Sequence, residues 1–274
     1  MKMMLFADFQ LARRLELHEG YGIAHSTPTR VELQPESDPT FEMVAGAYAI
    51  FAGRDSPISR AVGLGMSGAV SASDVERVEE FYRSRQAPAQ IDLCPLADAS
   101  LKLLLNERGY QLHDFANVWV QPLACDEAMS ATPDGVSIRE TVAADADDWI
   151  RVVSGGFAER EDLLAAELEI ATSLFHGPGT RCFLSLVDGQ PAGGGALFIH
   201  EGVAAFFSGS TLPAARGRGA QTALLQARLR AAREAGCDLA LIKTSPGSAS
   251  QRNVQRAGFH LAYTKATMRR AWTP

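Results

Sequence analysis

The sequence predicts a mixed α/β protein (α+β in its ordering of elements) made of two halves of similar plan. Three observations carry that expectation. Strand-like and helix-like periods alternate along the chain, a turn-rich stretch divides it near the middle, and the elements after that stretch partly repeat those before it. At 274 residues there is room for one large or two medium domains.

The bulk properties fit an ordinary globular protein, with 46% hydrophobic and 21% charged residues. The longest apolar runs, such as Met43 to Phe51, are far shorter than the roughly 20 residues that cross a bilayer, so no membrane partner is expected. Met1 to Phe6 carry one lysine and a brief apolar patch before Asp8, without a cleavage-site pattern. No signal peptide is expected, and the expected location is cytoplasmic. Cys94, Cys125, Cys182 and Cys237 are widely spaced, with no CxxC pair, and read as reduced thiols. His18, His25, His113, His176, His200 and His260 are scattered, so no metal site is expected.

Charge is unevenly placed. Residues 203–274 hold 11 Lys plus Arg against two acids, Glu234 and Asp238, in a chain whose formal net charge is −6. A positive segment inside an acidic protein points to a local anionic ligand rather than to nucleic acid.

In chain order, Ser67-Gly68 precedes a helix expected over Ser73 to Arg85, then a strand from Gln90 to Leu93. Pro95, a short helix over Ala99 to Arg108, Gly109-Tyr110 and a strand to Val120 follow. Gln121 to Gly135 carries two prolines, a glycine and small polar residues and reads as a linker. The expected domains are therefore residues 1–122 and 136–274, with the linker at 123–135.

After the linker, Val136 to Arg139 starts a strand and Asp145 to Val153 a helix. A second helix is expected over Glu161 to Phe175, with Leu163, Leu164, Leu168 and Ala171 near helical spacing, and His176-Gly177-Pro178-Gly179 ends it. Arg181 to Val187 and Ala192 to Ile199 read as strands joined through Asp188-Gly189, a strong hairpin signal. Val203 to Ser210 is the next strand. Thr222 to Ala235, rich in Ala, Leu and Arg and stopped by Gly236, is the strongest helix. Leu239 to Thr244, Ser250 to Ala257 and Phe259 to Met268 close the chain as strand, helix and strand. Ser208-Gly209, helix, strand, Pro246, short helix, Gly258-Phe259 and strand thus mirror the first half; Pro95 to Gly109 spans 14 positions and Pro246 to Gly258 spans 12.

The chemistry is concentrated in Ser210 to Leu225, STLPAARGRGAQTALL. A strand ends, Pro213 follows, and Arg216-Gly217-Arg218-Gly219-Ala220-Gln221 opens the long helix. A helix start leaves its first N–H groups without internal partners and carries about half a positive charge. Glycines let a ligand approach the backbone, and two arginines add full charge, so phosphate or diphosphate suits such a place. Two nucleotide patterns do not fit. The Walker pattern ends in Gly-Lys-Ser/Thr, whereas Ala220 and Gln221 follow Gly219; the dinucleotide fingerprint needs a third glycine that is missing.

This passage resembles the GNAT acetyltransferase family, in which an Arg/Gln-x-x-Gly-x-Gly/Ala motif follows a strand and a proline. Arg216, Gly219, the Pro213-x-x-Arg216 lead-in and the helix residues Ala223, Leu224 and Leu225 match; Gln221 stands where the family has Gly or Ala. The strand order, the Asp188-Gly189 hairpin and the closing Arg256-Ala257-Gly258-Phe259 extend the resemblance over the second half. It implies two GNAT-like domains, the first degenerate, each a largely antiparallel mixed sheet flanked by helices.

It further implies acetyl-CoA as co-substrate, with Arg216, Gly217, Arg218, Gly219, Ala220, Gln221 and Thr222 around the diphosphate. Ser210, Thr211 and Leu212 are candidate backbone contacts of the pantetheine arm, and Asn253 a candidate side-chain contact. Family members use a tyrosine acid at the position of Val254 here; Tyr263 is the substitute candidate. Glu159, Glu161 and Asp162 lie where the acceptor wall is expected. The implied activity is N-acetyl transfer to a primary amine of a small molecule, by a monomer or a homodimer. A protein or peptide acetyltransferase and a non-catalytic CoA-binding regulatory module remain open. Gly219→Glu is expected to abolish CoA binding with the fold largely intact. The first half has no arginine–glycine loop, and Asp74 and Glu76 lie at its helix start, so it is expected to bind no CoA.

Overall fold

The structure, a computed structural model, describes residues 6–54, 56–123, 132–158, 163 and 165–272. Most of the expected linker, Cys125, Glu159, Glu161 and Asp162 lie outside the described residues. The chain forms two compact units. One takes in Met1–Trp119, Lys243–Gln255 and Phe259–Pro274, the other Val120–Ile242 and Arg256–Gly258.

In the first unit, α1 (Phe9–His25) starts at Asp8, whose carboxylate accepts from the Leu11 amide at 2.9 Å. After α2 (Thr27–Leu33), β1 (Thr40–Val44) and β2 (Ala47–Phe51) form a tight antiparallel hairpin. Its two turn residues, Ala45 and Gly46, both have positive φ, the geometry a two-residue hairpin demands. Then come β3 (Ala61–Val62), α3 (Ala72–Arg83), β4 (Ala89–Leu93), α4 (Ala99–Glu107) and β5 (Gln111–Pro122). The sheet order in this unit is β1-β2-β3-β4-β11-β5, where β11 is His260–Arg270, the last strand of the chain.

That position of β11 corrects the expected division at residues 136–274. β11 pairs antiparallel with β4, from Ala266 opposite Leu93 to Arg270 opposite Ala89, and does not close a sheet of the second unit. Charge explains its place. The fully buried Lys265 donates to Glu19 at 2.8 Å and Glu16 at 3.1 Å, both on α1, and lies 3.1 Å from Asp92 on β4. Lys243 also binds Glu19, Arg60 lies 3.5 Å from Asp92, and Thr267 donates to Asp92 at 2.8 Å. Three carboxylates thus meet three cations, and a cation brought in by the last strand completes the set. Arg270 adds a bond to Glu79 on α3 at 2.7 Å.

In the second unit, β6 (Val136–Glu140) leads to α5 (Ala146–Ala158) and α6 (Ala165–Phe175). β7 (Thr180–Val187), β8 (Gln190–His200), β9 (Val203–Thr211), α7 (Ala220–Glu234) and β10 (Leu239–Thr244) follow; Lys243–Gln255 belongs to the first unit again, where α8 (Ala249–Arg256) precedes β11. The sheet order is β10-β9-β8-β7-β6, antiparallel except for β10 beside β9. Asp188 and Gly189, with φ of 51° and 79°, make the expected hairpin turn. Trp149, Val152 and Val153 of α5 pack with Ala171, Leu184 and Ala196, while Ala220 and Ala223 of α7 pack with Val136, Val187 and Ala192.

Gly193-Gly194-Gly195 in β8 would weaken a strand by propensity alone, and close packing explains it. A Cβ on Gly194 would lie 2.7 Å from Val153, and one on Gly195 would lie 2.9 Å from the guanidinium of Arg228. Successive strand residues face opposite sides, so α5 and α7 approach the bare backbone from either side.

Candidate functional site

The site begins where β9 loses one neighbour. Its parallel pairing with β10 runs from Val203–Leu239 to Phe206–Ile242 and stops there. On the other edge β9 stays with β8, through a bulge. Gly194 faces Ser210 and Ala196 faces Phe207, so Ser208 and Gly209 together oppose Gly195. Ser208 adopts the left-handed region at φ 53°.

Beyond β9 a single 3-10 turn, Pro213–Ala215, leads into Arg216. Gly217 and Gly219 are left-handed at φ 79° and 83°, which only glycine takes without strain. Gly219 is the N-cap of α7 and offers no side chain to it. The first helical bond is Ala223 N–H to Gly219 C=O at 3.0 Å. Among the described residues, the amides of Gly217, Arg218, Gly219, Ala220, Gln221 and Thr222 donate to no protein acceptor. Six consecutive N–H groups at a helix start form an anion seat.

The arginines shape this loop as well as charging it. Arg216 donates to Thr211 C=O at 3.3 Å and to Gly156 C=O at 3.2 Å, tying the loop to β9 and α5. Arg218 pairs with Asp188 at 3.0 Å, both side chains being well exposed. Such a surface pair is worth at most about 1 kcal/mol, so Arg218 can exchange Asp188 for another anion.

The candidate contacts sort by what they already bind. Ser210 is buried, and its hydroxyl donates to Val153 C=O at 3.1 Å. Thr211 Oγ1 donates to Gln221 Oε1 at 3.3 Å, so the side chain that departs from the family pattern bridges α7 back to β9. The Leu212 amide donates to Ala192 C=O at 2.8 Å and its carbonyl accepts from Ala215 at 2.9 Å, which leaves the carbonyl's second lone pair for a ligand. Gly219 is tightly packed as well as left-handed. A Cβ there would lie 2.6 Å from Pro133 Cγ, so Gly219→Glu disturbs packing as well as the seat.

Asn253 is exposed on α8, which belongs to the first unit, and Val254 beside it is buried. Tyr263 also lies in the first unit. Its hydroxyl donates to Glu16 at 2.8 Å, and burial, reinforced by the Glu16 carboxylate, pushes the phenol well above its usual range. A proton held so firmly serves a structural bond, which corrects the expectation of Tyr263 as the acid. Cys94 and Cys182 are buried free thiols pushed up to about 11 and about 12 by burial. Among the described residues no group of three His, Cys, Asp or Glu is placed to hold a metal ion, and no helix is long and apolar enough to cross a membrane.

The basic segment is not one charged surface. Arg228 and Lys265 are buried, and Arg218, Lys243, Lys265 and Arg270 are paired with carboxylates. Arg228 is a further residue of this site that no motif in the sequence marks. Its signal was spacing: it falls four residues after Leu224 and four before Ala232, on the buried side of α7.

A strand that loses its parallel neighbour and runs into an uncapped, glycine-opened helix gives an α/β domain whose helix start suits an anion. Residues 146–259 match the family model described as Acetyltransferase (GNAT) family. Among solved structures, the chain is similar to a GCN5-related N-acetyltransferase from Kribbella flavida, with a TM-score of 0.64 and 16% identity over 92% of this chain and 96% of that one. It is similar to a tandem GNAT protein from the clavulanic acid biosynthesis pathway, with a TM-score of 0.61 and 14% identity over 97% and 96%. A GCN5-related N-acetyltransferase from Sphaerobacter thermophilus gives 0.59 and 20% over 74% and 68%. At these identities the likeness is one of fold, and the fold is that of two GNAT-like domains. No curated protein matches the chain in sequence.

Proposed function

We propose that the protein is an acyl-CoA-dependent N-acetyltransferase that transfers the acetyl group of acetyl-CoA to a primary amine of a small molecule. One observation carries this reading: the six amides from Gly217 to Thr222 that have no acceptor among the described residues, set directly after a strand whose parallel pairing has ended. The amides and the charges of Arg216 and Arg218 suit the diphosphate. The open edge of β9 beyond Phe206 suits the peptide-like pantetheine arm, which can add to it as a strand does.

Acetyl-CoA supplies the activated acetyl group. The chain holds it beside the amine, which replaces an encounter in solution by a fixed approach. It also offers strand amides to the carbonyl oxygen as charge develops there. On this reading the start of α3 takes no CoA, because it is closed by its own Ser71 and Asp74.

The absence of an aligned tyrosine, with Val254 buried in its place, favours the second reading, a non-catalytic CoA-binding module. Calorimetric titration of the full chain with CoA, followed by thiol release from acetyl-CoA over a panel of small amines and lysine peptides, separates the readings. One CoA per chain and thiol release with small amines supports the proposal. Release with peptides alone indicates a protein acetyltransferase, binding without release a regulatory module, and no binding ends the CoA reading.

A further inference from the structure

Arg228 is fully buried on α7, yet among the described residues no carboxylate lies within ion-pair distance of it. Neutral oxygens hold it. Nε donates to Leu224 C=O at 3.3 Å, and Nη1 donates to Ala196 C=O at 3.2 Å and Phe207 C=O at 3.3 Å. Its guanidinium also sits 5.3 Å from the centre of the Phe206 ring, and Nη2 has no hydrogen-bond partner among the described residues. Burial lowers the guanidinium to about 10, which leaves it charged at neutral pH.

The place of this charge is specific. Ala196 and Phe207 face each other at the edge of the β8–β9 bulge. A Cβ on Gly195 would lie 2.9 Å from the Arg228 Cζ, and one on Gly209 would lie 3.2 Å from Nη2. The guanidinium therefore sits against the bulge residues themselves. A buried cation without a counter-ion is unfavourable, and an apolar side chain of similar volume would fill the space at lower free energy. Packing alone does not account for an arginine here.

The Phe207 carbonyl and the Ser208 N–H belong to one peptide group. A charge-assisted bond to the carbonyl draws electron density from the amide and makes its N–H a stronger donor. We infer that Arg228 is a positioning residue for acetyl transfer: by binding the carbonyls of Ala196 and Phe207 it fixes the β9 bulge and strengthens the Ser208 N–H as the donor to the thioester carbonyl. This inference rests on the acetyl-transfer reading above.

The test uses the full chain as wild type, Arg228→Lys and Arg228→Met. Calorimetry gives the CoA affinity, difference infrared spectra of bound acetyl-CoA labelled with carbon-13 at the carbonyl give its polarisation, and thiol release with the best amine of the panel gives turnover. The expected result is an affinity within about threefold of wild type in both variants. The lowered carbonyl frequency of the wild-type complex should be lost in Arg228→Met, with turnover down about 100-fold. Arg228→Lys, which keeps a charge but not the fork, should fall between. An unchanged carbonyl band and turnover in Arg228→Met at equal occupancy would overturn the inference while leaving CoA binding intact. Failure of both variants to fold would assign Arg228 to structure and overturn it too. If the wild type binds no CoA, the acetyl-transfer reading fails, and this inference with it.

Discussion

The helices α3 and α7 occupy matching positions in the two units and begin in opposite ways. At α3 the Ser71 side chain accepts from the Asp74 amide at 3.2 Å, and the Ser71 amide donates to Asp74 Oδ2 at 2.8 Å. Hydrogen bonds from the Ser71 hydroxyl and amide hold the Asp74 carboxyl below its usual range, so an acid stands where an anion would bind. Val70 N–H is likewise taken by Ser100 at 2.8 Å. At α7 a left-handed glycine stands at the cap and the amides are left open. The same strand–loop–helix plan is thus self-sealed in one unit and open to a ligand in the other. The change needs only a serine and an aspartate against glycines and arginines.

Buried cations extend the contrast. Lys265 in the first unit has three carboxylate partners, whereas Arg228 in the second is held by carbonyls. Lys265→Met should have the largest effect on stability. It leaves Glu16, Glu19 and Asp92 buried without their common cation and should destabilise the first unit by about 3–5 kcal/mol. A denaturant titration showing a loss below about 1 kcal/mol would contradict the network account.

Acid should expose the same difference. Burial alone would raise Asp92 and Glu19; Lys265 with Arg60 outweighs it at Asp92, and Lys243 with Lys265 at Glu19, so both are held below their ordinary values of 3.8 and 4.5. Their contribution is complete above those ordinary values and is lost as pH falls toward the lowered ones. Burial raises Glu16 instead, which works in the opposite sense. Amide hydrogen exchange from pH 6 down to pH 3 should therefore show α1 and β4 losing protection before β8 and β9. Equal loss in both units would break the comparison.

At the open helix start, Thr222→Glu places a carboxylate in the first turn of α7, where it favours the helix. It should also oppose a bound diphosphate, weakening CoA by about 100-fold, or about 2.7 kcal/mol, with no fall in melting temperature. Unchanged affinity in calorimetry would move the diphosphate elsewhere. The smallest effect is expected at the sealed start. Ser71→Ala should lower stability by about 1 kcal/mol and leave CoA affinity unaltered. A second CoA bound by that variant would show that the cap alone had been excluding it.

Much of this was legible in the sequence because local chemistry decided it. The Asp188-Gly189 hairpin, the helix stop at Gly236 and the glycines before α7 each fix a backbone conformation within a few residues. Elements set by distant partners were not legible. β11 reads as the natural end of the second half, and its pairing with β4 depends on Glu16 and Glu19, almost 250 positions earlier. The α1, α2 and β1–β3 segments were not resolved from the sequence because β3 is two residues long and α1 mixes buried Glu16 and His18 into its core face. Gly193 to Gly195 and Arg228 explain one another only in three dimensions. Tyr263 is an acid by residue type, and its buried hydroxyl is engaged as a donor to Glu16, a partner that spacing along the chain does not reveal.

A crystal structure of the chain grown with CoA addresses the open helix start most directly. The account predicts one CoA per chain, its diphosphate oxygens within hydrogen-bond distance of amides between Gly217 and Thr222, and nothing bound at the start of α3. A diphosphate bound away from that loop, or a second CoA at α3, would contradict it.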